Sequence, residues 1–172
     1  MSRRQVTRAE LFRRLDREMR QVSAYSVLLS QAVAERAGIH PTDLEILDLL
    51  HLEGPVPAGR LAEVTGLTAG AITGAIDRLE RRGYIRREDD PNDRRRVIVR
   101  PVVSTAQRTI IPLYAALSRA MTSTWSRYSD KDLAVLLDFM ARSSEIARKH
   151  IARLRKSAAA TRRRHTHEEK RR

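Results

Sequence analysis

Apolar positions set the first element. Leu11, Leu15, Met19, Val22, Ser26, Leu29 and Val33 recur at three- and four-residue steps, which predicts one long helix. Thr7 caps it, Glu10 three residues on completes a capping box, and Gly38 stops it. At roughly 30 residues it is long for a globular domain, as expected of a helix that packs on another chain or crosses several helices. Pro41 suits the first turn of a second helix carrying Leu44, Leu47, Leu49 and Leu50, with His40 as its cap and "EGP" at its end. A short third helix follows in "PAGRLAEVTG", and Thr68 caps a fourth, "TAGAITGAIDRLERRG", which closes at Gly83. Here the period changes. "YIRRE" (84–88) and "RVIVR" (96–100) alternate as two strands joined by the "DDPND" turn.

Two further helical patterns follow Pro101. In the first, Ile110, Tyr114, Leu117, Met121 and Trp125 share a face, and Pro112 predicts a kink or a later start. In the second, Ser129 caps, Asp132 sits at the third helical position, and Leu133, Leu136, Leu137, Met140, Ile151 and Leu154 fall inward. The predicted fold is mainly α with a small β-hairpin.

A short helix, a glycine-containing turn and a second helix are what a helix–turn–helix requires. On a helical wheel, Ile72, Ile76 and Leu79 fall within about 60° of each other as the inward stripe. Gly70, Thr73, Gly74, Asp77 and Arg81 fall opposite, with Arg78 on the flank. A helix with small, polar groups outward can approach another surface closely, such as the floor of a major groove. An amphipathic helix with a solvated back would show the same pattern.

The hairpin behind it narrows the choice. "REDDPNDRRRVIVRP" puts turn formers at Asp89, Asp90, Pro91, Asn92 and Asp93 directly before three arginines. A carboxylate at Asp93 can accept a forked hydrogen bond from a guanidinium such as Arg95 and hold the turn in one shape. The remaining arginines then point outward, toward phosphates or a minor groove.

Composition adds a partner class. The chain carries 34 Lys and Arg against 21 Asp and Glu, a net charge of +13, which favours a polyanion. The excess is not in the helix–turn–helix: residues 41–104 sum to −1, whereas 1–40 sum to +4 and 105–172 to +10. The end of the chain, with "TRRRHTHEEKRR", reads as a solvated tail or as a loose phosphate contact. With no cysteine, disulfides, thiolate metal sites and thiol sensing are out. No run approaches the ~20 apolar residues of a membrane span, and the start lacks a secretory apolar stretch, so a cytoplasmic protein is expected.

"LTAGAITGAIDRLERRGYIRREDDPNDRRRVIV" resembles the DNA-binding lobe of the MarR family of winged helix–turn–helix transcriptional regulators. The resemblance rests on Thr73, on Asp77, Leu79 and Glu80, on Gly83, on Ile85 and Arg87, and on Asp93 and Arg95 at the wing. With the helices on either side it covers roughly residues 8–155. It implies a winged helix–turn–helix lobe at 39–103, a helical dimerisation part at 1–38 and 104–156, and leaves 157–172 as a basic, disordered tail. It further implies a homodimeric repressor on an inverted repeat of double-stranded DNA, with recognition helices in major grooves and wings in minor grooves. A small aromatic or anionic effector is implied in a cleft between lobe and dimer part.

The DNA-contacting set on this reading is Thr68, Ala69, Gly70, Thr73, Gly74, Asp77 and Arg78 on the recognition helix, and Asp93, Arg94, Arg95 and Arg96 on the wing. Two features depart from the family pattern: Gly74, where many relatives carry a larger side chain, and the strand exit "RPVVSTAQ".

Catalytic chemistry finds no support. The five histidines are too scattered for a zinc site, no nucleophile motif surrounds a serine, and "GLTAGAITG" lacks the lysine and strand of a phosphate loop. No cofactor is expected. Tyr25, His51, Tyr114 and Trp125 could line an effector cleft, but core or dimer contact is the commoner fate of such residues. A non-specific architectural DNA- or RNA-binding protein, using its basic ends, is the competing function.

Overall fold

The computed structural model describes the backbone of residues 6–91 and 93–169, and no side chains at 94, 95 or 156–169. The chain forms two compact units, 1–113 and 114–172.

In the first unit, α1 (Arg8–Ala37) starts where Glu10 N donates to Thr7 Oγ1 at 3.2 Å and ends at Gly38. Gly38 takes φ 66°, a left-handed conformation that suits glycine. Only the last turns of α1 are buried, through Val33 and Ala34, against α2 (Pro41–Glu53). Thr42 N donates to the ring of His40, the expected cap. Leu44, Ile46 and Leu50 of α2, Leu61 of α3 (Ala58–Thr65), Ile76 and Leu79 of α4 (Ala69–Arg81), and Val99 of the sheet make one closed core.

The sheet has three strands, not two. β2 (Ile85–Asp90) and β3 (Asp93–Pro101) form the expected hairpin, Arg87 opposite Val99 and Glu88 opposite Ile98, with a register shift at Asp89/Asp90. β1 (Val56–Pro57) pairs with the other edge of β3, Val56 opposite Val99. Two residues cannot show a period, and one is a proline, which a ladder tolerates only at its edge. The region after Pro101 also divides more finely than predicted. A short α5 (Val103–Thr109) ends at buried Ile110, and α6 (Ile111–Trp125) begins afresh with Pro112 in its first turn.

The second unit comprises α6 from Tyr114 onward and α7 (Asp130–Glu169). Ser129 and Asp132 cap α7 reciprocally: Asp132 N donates to Ser129 Oγ at 3.3 Å and Ser129 N to Asp132 Oδ2 at 3.2 Å. Along the solvent face Arg148 and Lys149 both pair with Glu145, and Arg148 first holds that carboxyl down at about 2. From 114 to 155 no residue is buried, so Leu117, Met121, Trp125, Leu137 and Met140 stand in solvent in one chain. The backbone of α7 stays helical to Glu169, past residue 157 where composition predicts disorder. That stretch holds Ala158, Ala159 and Ala160 and neither Pro nor Gly, so nothing in it interrupts a helix.

Candidate nucleic-acid interface

α3 and α4 meet at a tight turn through Gly66, φ 72°. Thr65 Oγ1 donates to Leu61 O at 2.7 Å and accepts from Leu67 N, closing the turn on itself. Thr68 Oγ1 then accepts from Ala71 N at 3.2 Å and starts α4. Ile72, Ala75, Ile76 and Leu79 are buried, which turns Thr68, Ala69, Gly70, Thr73 and Asp77 to solvent and leaves Gly74 half-buried. The inward and outward faces are those the wheel predicts.

Three charged contacts hold this helix. Arg78 makes a fork to Asp43 of α2, Nε to Oδ2 at 3.0 Å and Nη2 to Oδ1 at 2.6 Å. Asp43 is 2% exposed, and this fork satisfies both of its oxygens. Arg82, just past the end of α4, donates to the carbonyl of Gly38 at the α1–α2 corner. Arg87 of β2 reaches back with its guanidinium to both Asp77 and Glu80, and its backbone N donates to Glu80 Oε1 at 3.1 Å. Asp77 and then Glu80 hold the Arg87 guanidinium protonated beyond its ordinary range, as Asp43 does for Arg78. The α4 helix is therefore braced at one side to α2 and at the other to β2.

The wing stem carries its own brace. Glu88 lies between Arg100, 2.7 Å away across the ladder, and Arg86 at 2.8 Å, and Arg100 holds its carboxyl below the usual glutamate range. At the tip Asp93 and Arg96 are exposed. The expected Asp93–Arg95 fork, and the side chains of Arg94 and Arg95, lie outside the described residues. Glu88 clamps the stem, and Asp43, Asp77 and Glu80 clamp the helix.

Of the residues expected to touch DNA, the structure gathers Thr68, Ala69, Gly70, Thr73, Gly74 and Asp77 on one face and turns Arg78 away to Asp43. Asp43, Arg82, Glu88 and Arg100 escaped the sequence reading. Asp43 left a signal: it shares a helical stripe with Ile46, Leu47 and Leu50, and a carboxylate on a buried stripe needs a cation. Tyr25, Trp125 and His51 are exposed and Tyr114 is half-buried.

Comparison with known proteins bears on this geometry directly. A model of the MarR family matches residues 39–97. The HTH-type transcriptional regulator YcgE of Bacillus subtilis is 36% identical over 149 residues, 87% of this chain and 96% of that protein. This chain belongs to the MarR family. Solved MarR-type folds superpose on it along most of its length. A MarR family protein from Bacillus stearothermophilus matches with a TM-score of 0.61 at 20% identity, over 82% of this chain and 98% of that one. The transcriptional regulator Tm0710 from Thermotoga maritima gives 0.58 at 22%, over 81% and 98%. The chain is thus a MarR-family transcriptional regulator with a DNA-binding winged-helix fold, not an enzyme. Among the described residues no helix is long and apolar enough to cross a membrane.

Proposed function

We propose that this MarR-family protein is a cytoplasmic homodimeric repressor of an inverted-repeat operator, with α4 of each copy in a major groove and the β2–β3 wing in the adjoining minor groove. The observation that carries this reading is the outward face of α4. Its groups are small where a groove floor would meet them, and a charged hairpin stands beside it. Thr68, Ala69, Gly70, Thr73 and Gly74 face the base edges, Asp77 and Arg78 hold the helix, and Asp93, Arg94, Arg95 and Arg96 serve the wing. Apolar stripes left in solvent on α1, α6 and α7 support pairing of two chains, which sets the spacing between the two readers. A small aromatic or anionic effector relaxes the dimer's grip, in the manner the family resemblance implies.

Gel-shift titration against DNA from upstream of the gene tests the reading. Binding to the operator should be about 1,000-fold or more tighter than to a scrambled duplex. Arg95→Ala should weaken operator binding by about 1–3 kcal/mol. Equal affinity for operator and scramble would replace specific readout with the architectural alternative, and removal of 156–172 would then abolish binding rather than only lowering its salt dependence.

A further inference from the structure

The two contacts that most often specify sequence in a major groove are a fork from Arg or Lys to guanine and a fork from Asn or Gln to adenine. The first two and a half turns of α4 with their cap, "TAGAITGAID" (68–77), contain none of these residues. Each of the polar groups that are present already has a partner within the protein. Thr68 Oγ1 accepts the capping bond from Ala71 N, and Thr73 Oγ1 donates to Ala69 O at 2.9 Å. Asp77 is held by Arg87, and Arg78, the first arginine of the helix, is forked onto Asp43. Arg81 lies twelve residues beyond Ala69, about 18 Å along the axis, with Nε turned back to Asp77 O at 3.3 Å. It stands about three turns behind the N-terminal residues, the part of such a helix that meets base edges.

What the leading turns do offer is methyl groups, on Ala69 and Thr73, set among glycines. Neither Gly70 nor Gly74 is demanded by the fold. Both have ordinary helical φ, a Cβ at Gly70 would meet nothing within 4 Å, and one at Gly74 would come no closer than 3.7 Å to Arg78 Nη1. Each weakens the helix relative to alanine and in return lets the backbone come close to a facing surface. In the major groove the feature read by apolar contact rather than by hydrogen bonds is the 5-methyl group of thymine.

We propose that this recognition helix selects its operator through contacts of Ala69 and Thr73 with thymine 5-methyl groups, and that Asp77 and Arg78 are positioning residues that do not touch bases. The proposal rests on α4 entering the major groove. It assigns thymines to the base pairs that Ala69 and Thr73 meet and makes discrimination between thymine and cytosine depend on shape and methyl contact, with the wing and backbone supplying affinity.

Deoxyuridine tests it, because it keeps every hydrogen-bonding group of thymidine and lacks only the methyl. With the selected operator, replacing one thymidine in each half-site by deoxyuridine should weaken binding about fourfold per methyl, about fifteenfold for the symmetric pair. Thr73→Ser, which keeps the hydroxyl and drops the methyl, should bind the thymidine and deoxyuridine operators equally at one of these positions, while Thr73→Val keeps the preference. Guanine N7 methylation interference on the same duplex separates the two layers of the argument. If deoxyuridine is silent at every position while N7 methylation still blocks binding, the helix sits in the groove and methyl readout is overturned. If neither matters, the placement of α4 falls with it.

Discussion

The winged lobe and the long helices use the same apolar residues in opposite ways. In the lobe, Leu44, Leu61, Ile76, Leu79 and Val99 are closed off almost entirely, because α2, α3, α4 and the sheet are short elements that meet around one centre. Along α1 before Leu29, and along α6 and α7, residues of equal size and helical spacing stay open: Val22 is 61% exposed and Leu137 72%. Intrinsic helix propensity and i,i+4 ion pairs such as Arg142 with Asp138 sustain such helices only weakly. A stripe of that length exposed to water is unusual for a monomer, and the homodimer proposed above would cover it. On the proposed reading the lobe carries stability of its own, whereas the long helices carry association. Substitutions at three places test how far that separation holds.

The largest effect is expected on α7. Leu137→Glu combined with Met140→Glu places two charges on the apolar stripe, where a paired surface would have to desolvate them. The expected result is a fall in mass from two chains to one in light scattering at micromolar concentration. Operator binding should fall by about 100-fold or more, since the two readers no longer act as one ligand. Thermal unfolding of the lobe should be nearly unchanged. A two-chain mass for the double variant would move the interface away from this stripe.

Next comes the brace inside the lobe. Arg78→Ala strands the Asp43 carboxylate in the core, and urea unfolding should lose about 3 kcal/mol. That figure is the lower end for a broken buried pair, because the Arg78 side chain is 41% exposed and solvent already screens part of the interaction. Dimer mass should be unaffected. Replacing the pair by Asp43→Leu with Arg78→Met should recover most of the loss, since apolar groups of similar volume need no partner. If Arg78→Ala alone were neutral, Asp43 would be finding water, and the lobe core would be more open than its burial implies.

The two regions also differ in how much of them the chain's pattern reveals. Local chemistry is short-range and was legible: Thr7, His40, Thr68 and Ser129 cap the helices at which they were placed, and Pro112 begins a new helix. The inward stripe of α4 follows from its period alone. Contacts between elements distant in the chain were not legible, because a pattern of periods says which face is inward and not what it meets. Arg78 illustrates this: its flank position on α4 is visible in sequence, but its partner lies 35 residues away. β1 went unseen because a two-residue strand is defined by its neighbour rather than by itself.

The smallest effect expected is also the one that couples the lobe's stability to its use. Gly74→Ala adds a methyl at a helical position where the nearest outside atom, Arg78 Nη1, would be 3.7 Å away, an ordinary contact. Alanine loses less backbone freedom on folding than glycine, so urea unfolding should gain about 0.5–1 kcal/mol. Association through the long helices should not change. Operator binding should nevertheless weaken about tenfold, comparable to one lost base contact, because the same methyl holds the helix away from the groove floor. A variant that is both more stable and equally tight on DNA would mean that α4 does not approach the bases closely at residue 74. A variant whose dimer mass changed would instead undo the separation between the lobe and the long helices.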